Sequence, residues 1–244
     1  MKICVAQIKS LKGNIQENIK NHIEIIERAI KLGVNLIIFP ELSITSYEPS
    51  LAKELATNKE DTIFNPFQKL SNNNNITIGI GMPINSDDGV NISMLIFQPN
   101  KERITYSKQI LHSDELPYFT SGTKQAYINK EENKIAVGMC DETLQKEHFL
   151  KTQQKGADIY IASVAKSKKG IEKAYKHFSE ISNEFKTPIL MSNSIGYCDG
   201  FLSFGNSAIW NKKGRLIANL DKENEGLIIY DTETEIIKVE KEIK

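Results

Sequence analysis

Three side chains suited to acyl transfer stand where apolar runs of the sequence stop. Glu41 follows "LIIFP", Lys108 follows "ERITYS" and Cys140 follows "KIAVGM". A thiol supplies a nucleophile, a carboxylate supplies a base for its proton, and an ammonium supplies a counter-charge for the oxyanion. In α/β folds, strands aim such groups from their ends. Each residue also has an ordinary structural reading. A free cysteine beside an apolar strand is most often core, and a Glu or Lys after a strand is often a solvated turn residue. The core reading suits Cys4, inside "KICVAQI", and Cys198 reads as incidental in the Gly-rich loop "GYCDG".

Cys140 differs because its position has a physical use. The pattern places it between a buried strand, Ile135 to Val137, and a helix from about Thr143 to Lys155. A helix N-terminus favours thiolate through its positive end, and its free N–H groups can hold an oxyanion. Asp141 and Glu142 oppose that activation, so the thiol needs a cation or a base nearby. Ordinary Cys and Glu pKa values differ by about 4 units, so bare proton transfer costs roughly 5.7 kcal/mol. Burial raising Glu41 and a cationic Lys108 lowering Cys140 are expected to close most of that gap.

The elements that must carry these residues are legible in the hydrophobic pattern. Lys2 to Ile8 reads as a strand. Ile15, Ile19, Ile23, Ile26 and Ile30 then mark one face of a helix from Asn14 to Leu32, which Gly33 ends. "LIIFP" is a continuous apolar run of buried-strand type. "ITIGIGMPI" and "ISMLIFQP" flank "NSDDG" and read as a hairpin, and Arg103 to Lys108 as a further strand. "NNNN", Asn72 to Asn75, reads as a short polar loop. The opening pattern then recurs: "KIAVGMC" resembles "KICVAQI", and "KGADIYIAS" echoes "LGVNLIIFP". A long helix from about Gly170 to Lys186 leads into "PILMSNSIG", a hairpin turns at Lys212 to Gly214, and "GLIIYD" adds a last strand. Two similar βαβ-type halves predict one layered α/β domain over residues 1–244 with internal pseudo-symmetry. The charged tail from about residue 232 reads as disordered or as an interaction arm.

Composition narrows the function classes. Hydrophobic residues make up 40% and charged residues 25% of 244, which permits a packed core under a solvated surface. Thirty-one basic residues balance thirty-one acidic ones, against a nucleic-acid or anionic-membrane partner. No apolar run suits a signal peptide or a membrane span, so the expectation is a cytoplasmic protein. Three cysteines and four scattered histidines show neither a disulfide framework nor metal-ligand spacing.

Longer stretches around the three residues resemble the nitrilase superfamily of carbon–nitrogen hydrolases, in its amidase-type branch. In "LIIFPELSITSY", Glu41 matches the general base. In "YSKQILHSDELPYFTSG", Lys108 matches the catalytic lysine and Glu115 a second, supporting glutamate, with Phe119 and Gly122 at the family's spacing. In "VGMCDETLQKEHFLKTQQKGAD", Cys140 matches the nucleophile and Glu147 the acid of the following helix. "MSNSIG" and "FGNSAIWNKKGRLIANL" resemble the late strand and hairpin. The family usually has an aromatic residue after the nucleophile; here Asp141 stands there, and Gln145-Lys146 replaces a Phe-Pro.

The resemblance implies a four-layer α-β-β-α sandwich, association as a homodimer or higher homo-oligomer, and thiol hydrolysis of a non-peptide C–N bond without metal or cofactor. Asp141, Tyr47 and Asn193 would be oxyanion- or substrate-binding groups. The substrate expected is a small linear amide or carbamoyl compound with a polar, neutral or cationic acyl end. Arg28, Arg103 and Arg215 adjoin no catalytic motif, although Lys166, Lys168 and Lys169 can reach a substrate carboxylate as point charges. Other readings stay open: a nitrilase or acyltransferase of the same superfamily, a papain-like hydrolase using His112 or His148, or a binding protein on this fold.

Overall fold

The structure is a computed structural model describing residues 1–241 and 243. Its first half runs β1 (Lys2–Gln7), α1 (Ile15–Lys31), β2 (Leu36–Ile38), the short α2 (Ala52–Leu55), α3 (Asn65–Asn74), β3 (Thr77–Ser86), β4 (Gly89–Phe97) and β5 (Ile104–Ser107). After β6 (Tyr127–Lys130), the second half repeats the plan. It runs β7 (Asn133–Met139), α4 (Lys146–Gln154), β8 (Ile159–Val164), α5 (Lys168–Phe185) and β9 (Ile189–Asn193). A small hairpin of β10 (Ile195–Cys198) and β11 (Phe201–Phe204) follows, then β12 (Ala208–Trp210) and β13 (Leu216–Asn219). The chain returns to the first sheet with β14 (Gly226–Asp231) and β15 (Ile237–Lys241).

The sheet orders are β15-β14-β1-β2-β3-β4-β5 and β13-β12-β9-β8-β7-β6. In each half three parallel strands come first, β1-β2-β3 and β7-β8-β9, and two antiparallel strands extend them, β4-β5 and β12-β13. This is the expected pseudo-two-fold symmetry. Three apolar cores make it a four-layer α-β-β-α sandwich. The middle core joins the sheets through Ile3, Val5 and Ile38 on one side and Val137, Ile161 and Leu190 on the other. Ile26 and Phe67 pack α1 and α3 outside the first sheet, and Phe149 and Phe178 pack α4 and α5 outside the second. Parallel strands covered on both faces explain the unbroken apolar run Leu36–Ile38, all buried.

Four details differ from the sequence reading. Asn72 to Asn74 form the last turn of α3, and Asn75 ends it at φ 52°, a left-handed conformation that Asn tolerates. The described part of the tail contains β15, paired antiparallel with β14 and tied to α1 by Arg28 Nη2–Glu240 Oε2 at 3.0 Å; residues 242 and 244 lie outside the described residues. The expected helix from Thr143 splits into a 3₁₀ turn, Cys140–Leu144, and α4, because Gln145 between them is extended (φ −94°, ψ 113°). Cys198 is the buried last residue of β10 rather than a loop residue.

Candidate active site

Glu41 sits just beyond β2, on a loop pressed against β3. That approach requires Gly81, because a Cβ there would lie 2.2 Å from the Leu42 nitrogen. The loop is pinned by Ile44 N donating to Gly81 O at 3.0 Å and Gly81 N donating to Ser43 Oγ at 3.2 Å. Lys108, just past β5, donates from a fully buried Nζ to Glu41 Oε1 at 3.0 Å and Glu115 Oε1 at 2.6 Å. Glu115 Oε1 also accepts the Tyr47 hydroxyl at 2.7 Å, while its Oε2 accepts the His112 N–H at 2.7 Å. Gly122 closes this loop, its N–H donating to Lys108 O at 2.7 Å. Glu41 Oε2 is buried and has no hydrogen-bond partner among the described residues. One lysine is thus held between two glutamates, and one oxygen of the first is left free.

Cys140, the first residue past β7, has φ +41°, a backbone conformation a non-glycine residue adopts only where surroundings enforce it. Glu142 does the enforcing. Its Oε1 accepts Met139 N at 2.7 Å, and its Oε2 accepts Gln109 N at 2.7 Å and Ile110 N at 3.2 Å. The Tyr106 hydroxyl also donates to Oε1. Glu142 therefore joins the turn carrying Cys140 to the residues directly after Lys108. Glu147, matched by the resemblance to the helix acid, lies on the exposed face of α4.

Cys140 is half-exposed and lines a cavity of about 260 Å³ with Tyr47, Glu115, Asp141 and Lys166. Asp114 and Asp199 also line it. The Lys166 Nζ lies 3.8 Å from Cys140 Sγ and donates to Cys140 O at 3.2 Å. Lys168 and Lys169 begin α5 and are exposed. Asn193 sits behind Lys166 rather than on the cavity wall: its Oδ1 accepts Lys166 N at 2.8 Å and its Nδ2 donates to Lys166 O at 3.3 Å. The strand-end reasoning that found Glu41 also applies to Lys166, two residues past β8. Its contact with sulfur and the Glu142 clamp depend on tertiary placement, and the sequence reading missed both.

Neither histidine suits a Cys–His pair. His112 is exposed at the cavity rim and pairs with Asp114. His148 is buried among hydroxyls, with Nδ1 3.0 Å from Tyr160 Oη and Nε2 2.9 Å from Tyr106 Oη. Among the described residues, no group of three His, Cys, Asp or Glu side chains could hold a metal ion.

Burial raises Glu41 to about 7, against the pull of Lys108. Burial also opposes the Lys108 ammonium, but Glu41, Cys140 and Glu115 outweigh it and hold the lysine above its ordinary value. Cys140 is pushed up to about 11 by burial and then by Glu41, with Lys166 and Lys108 opposing. Lys108 does lower the thiol, as the sequence reading expected, but the expectation that this closes most of the gap to Glu41 is corrected. The cation acts, but burial and the neighbouring base win.

The carbon–nitrogen hydrolase family model matches residues 2–238. The chain belongs to this family. It is 23% identical to a probable nitrilase of Schizosaccharomyces pombe over 95% of this chain and 87% of that protein. It is also 23% identical to the glutamine-dependent NAD(+) synthetase of Acinetobacter baylyi, over 88% of this chain but 41% of that protein. The chain thus spans less than half the length of that relative. The amidase from Nesterenkonia sp. AN1 has the same fold, with a TM-score of 0.87 at 18% identity over 96% of this chain and 94% of that one. Among the described residues, no helix of this carbon–nitrogen hydrolase is long and apolar enough to cross a membrane.

Proposed function

We propose that this carbon–nitrogen hydrolase cleaves a small linear amide or carbamoyl compound through a Cys140 thioester. The observation that carries this reading is the buried Glu41–Lys108–Glu115 set beside a half-exposed thiol. Cys140 attacks the carbonyl carbon while Glu41 takes the thiol proton. Lys108 and the Asp141 N–H hold the oxyanion. Glu41 returns the proton to the leaving nitrogen, and ammonia or an amine departs. Glu41 then activates the water that releases the acid. Tyr47 and Glu115 keep Lys108 in place.

The cavity favours a neutral or cationic acyl end. Asp114, Asp141 and Asp199 line it against one lysine, Lys166, and among the described residues no arginine does. Burial, then Glu48 and Asp114, hold Asp199 above its ordinary value, so an incoming cation would relieve repulsion there. The size suits short aliphatic amides, in keeping with the butyramide and acrylamide complexes of the Nesterenkonia amidase. The glutamine-dependent synthetases add a second candidate, glutamine, a linear amide whose far end is a zwitterion with an ammonium and a carboxylate.

Ammonia release across a panel of matched neutral, cationic and anionic amides, with glutamine included, tests both points. Cys140→Ala is expected to abolish release, and retained turnover would end the thiol reading. Asp141→Asn is expected to weaken turnover of the cationic amide selectively; an unchanged ratio would remove Asp141 from substrate selection. Activity is expected to survive EDTA, because the thiol route needs no metal, and loss restored by zinc would overturn it.

A further inference from the structure

Lys166 is a second buried lysine at the site, and the chemistry described so far does not use it. It is 5% exposed, and its main chain is fixed unusually well. Asn193 brackets its N–H and C=O, Phe204 N donates to its carbonyl at 2.8 Å, and Ser203 Oγ approaches that carbonyl at 3.4 Å. Gly170 gives its stem room, since a Cβ there would lie 3.2 Å from Lys166 Cβ. The ammonium is thereby delivered to Cys140, 3.8 Å from sulfur and 3.2 Å from the carbonyl oxygen.

Its partners are the anomaly. Lys108 is buried with two carboxylates, whereas among the described residues no carboxylate forms an ion pair with Lys166. A buried cation whose hydrogen-bond contacts are a carbonyl and a thiol, with Glu41 acting on it only at longer range, is incompletely compensated in the resting protein. It becomes compensated once the sulfur carries negative charge. Lys108 cannot substitute for it, because its short contacts go to Glu41 and Glu115.

We propose that Lys166 is a second catalytic cation, acting on the sulfur while Lys108 acts on the oxyanion. This rests on the thioester reading above. As the S–H proton passes to Glu41, the sulfur lone pair forms the C–S bond and the carbonyl π pair moves onto oxygen. Lys166 keeps its proton throughout and offsets the charge that appears on sulfur. When the intermediate collapses, the C–N bond breaks and Glu41 returns the proton to nitrogen. The thioester forms, and Lys166 serves again when deacylation regenerates the sulfur as leaving group.

The test compares wild type with Lys166→Met, Lys166→Gln and Lys166→Arg in two measurements. The first is the pH dependence of Cys140 alkylation by iodoacetamide, followed by peptide mapping, which requires no amide turnover. Removing the charge in the Met and Gln variants is expected to move the alkylation limb upward by about one pH unit or more, while Arg keeps it near wild type. The second is steady-state hydrolysis of a neutral amide, where Met is expected to lower kcat about 10- to 100-fold with KM little changed. An unmoved limb in a folded Met or Gln variant would overturn the proposal, as would an Arg variant shifted as far as Met. A rise in KM for anionic amides alone, at unchanged kcat, would make Lys166 a carboxylate anchor and also overturn it. Should wild type hydrolyse no amide, the alkylation limb still decides whether Lys166 acts on sulfur, and the thioester reading fails separately.

Discussion

At the residue scale the site combines a base near neutrality with a thiol far from it. Glu41 stands at about 7 and Cys140 at about 11. At about 1.4 kcal/mol per unit, that difference still disfavours a free thiolate–carboxylic acid pair by roughly 5.5 kcal/mol. In the proposed mechanism proton transfer therefore accompanies attack on the carbonyl, as a general base requires. As the proposed base Glu41 must be ionised, and its folded pKa is raised, so activity is expected to fall as pH drops through about 7. kcat/KM is expected to rise tenfold per unit below that pH and to flatten above it; a profile flat down to about pH 5 would contradict a raised Glu41. Iodoacetamide at mildly alkaline pH is expected to label Cys140 first. Cys4 and Cys198 are buried, and burial raises both thiols further, Cys198 to about 12. Glu41, Lys108 and Cys140 were legible because each follows an apolar strand and matches a family motif. The raised thiol was not, because burial and the nearness of Glu41 exist only after folding.

At the element scale, the turn after β7 and the loop after β5 act as one unit through Glu142. Its carboxylate receives three backbone N–H groups from the two segments. Glu142→Gln turns an NH₂ toward donors that need an acceptor, with an expected stability cost of about 1–3 kcal/mol. Because Cys140 and Lys108 would also shift relative to one another, kcat is expected to fall about tenfold or more in the folded variant. Thermal unfolding and turnover measured together check this. A stability loss at full kcat would confine Glu142 to a structural role. The sequence reading matched Glu147 to the acid of the following helix and read Glu142 only as opposing the thiol, because motif spacing cannot show which carboxylate turns back onto the chain. It missed β15 for a related reason. Alternating charges around Ile237 and Val239 look solvated, yet charged side chains are how exposed edge strands avoid further pairing. It missed the last turn of α3 because four asparagines are poor helix formers, whereas Phe67 and Ser71 bury that helix regardless.

At the scale of the whole molecule, neither sheet holds a complete site. The first contributes Glu41 beyond β2 and Lys108 beyond β5, and the second contributes Cys140 beyond β7 and Lys166 beyond β8. The repeated halves were readable in the sequence, but their face-to-face register was not, since it is set by side chains meeting across the middle core. Polar staples fix it near the site. Ser163 Oγ of β8 donates to Phe39 O at 2.8 Å, two residues before Glu41, and Ser192 Oγ of β9 donates to Ala6 O at 2.6 Å. Both hydroxyls are buried, so replacing either by Ala withdraws a donor from a buried carbonyl at a cost of about 1–3 kcal/mol. The functional consequences are expected to differ. Ser163→Ala loosens the carbonyl two residues before Glu41, across from the strand that leads toward Lys166, whereas Ser192→Ala loosens a carbonyl on β1, which carries none of the four candidate-site side chains. Similar losses in thermal stability are therefore expected, with the larger drop in kcat for Ser163→Ala. Equal kcat values in two folded variants would show that sheet register near Phe39 does not limit how closely Glu41 meets the thiol.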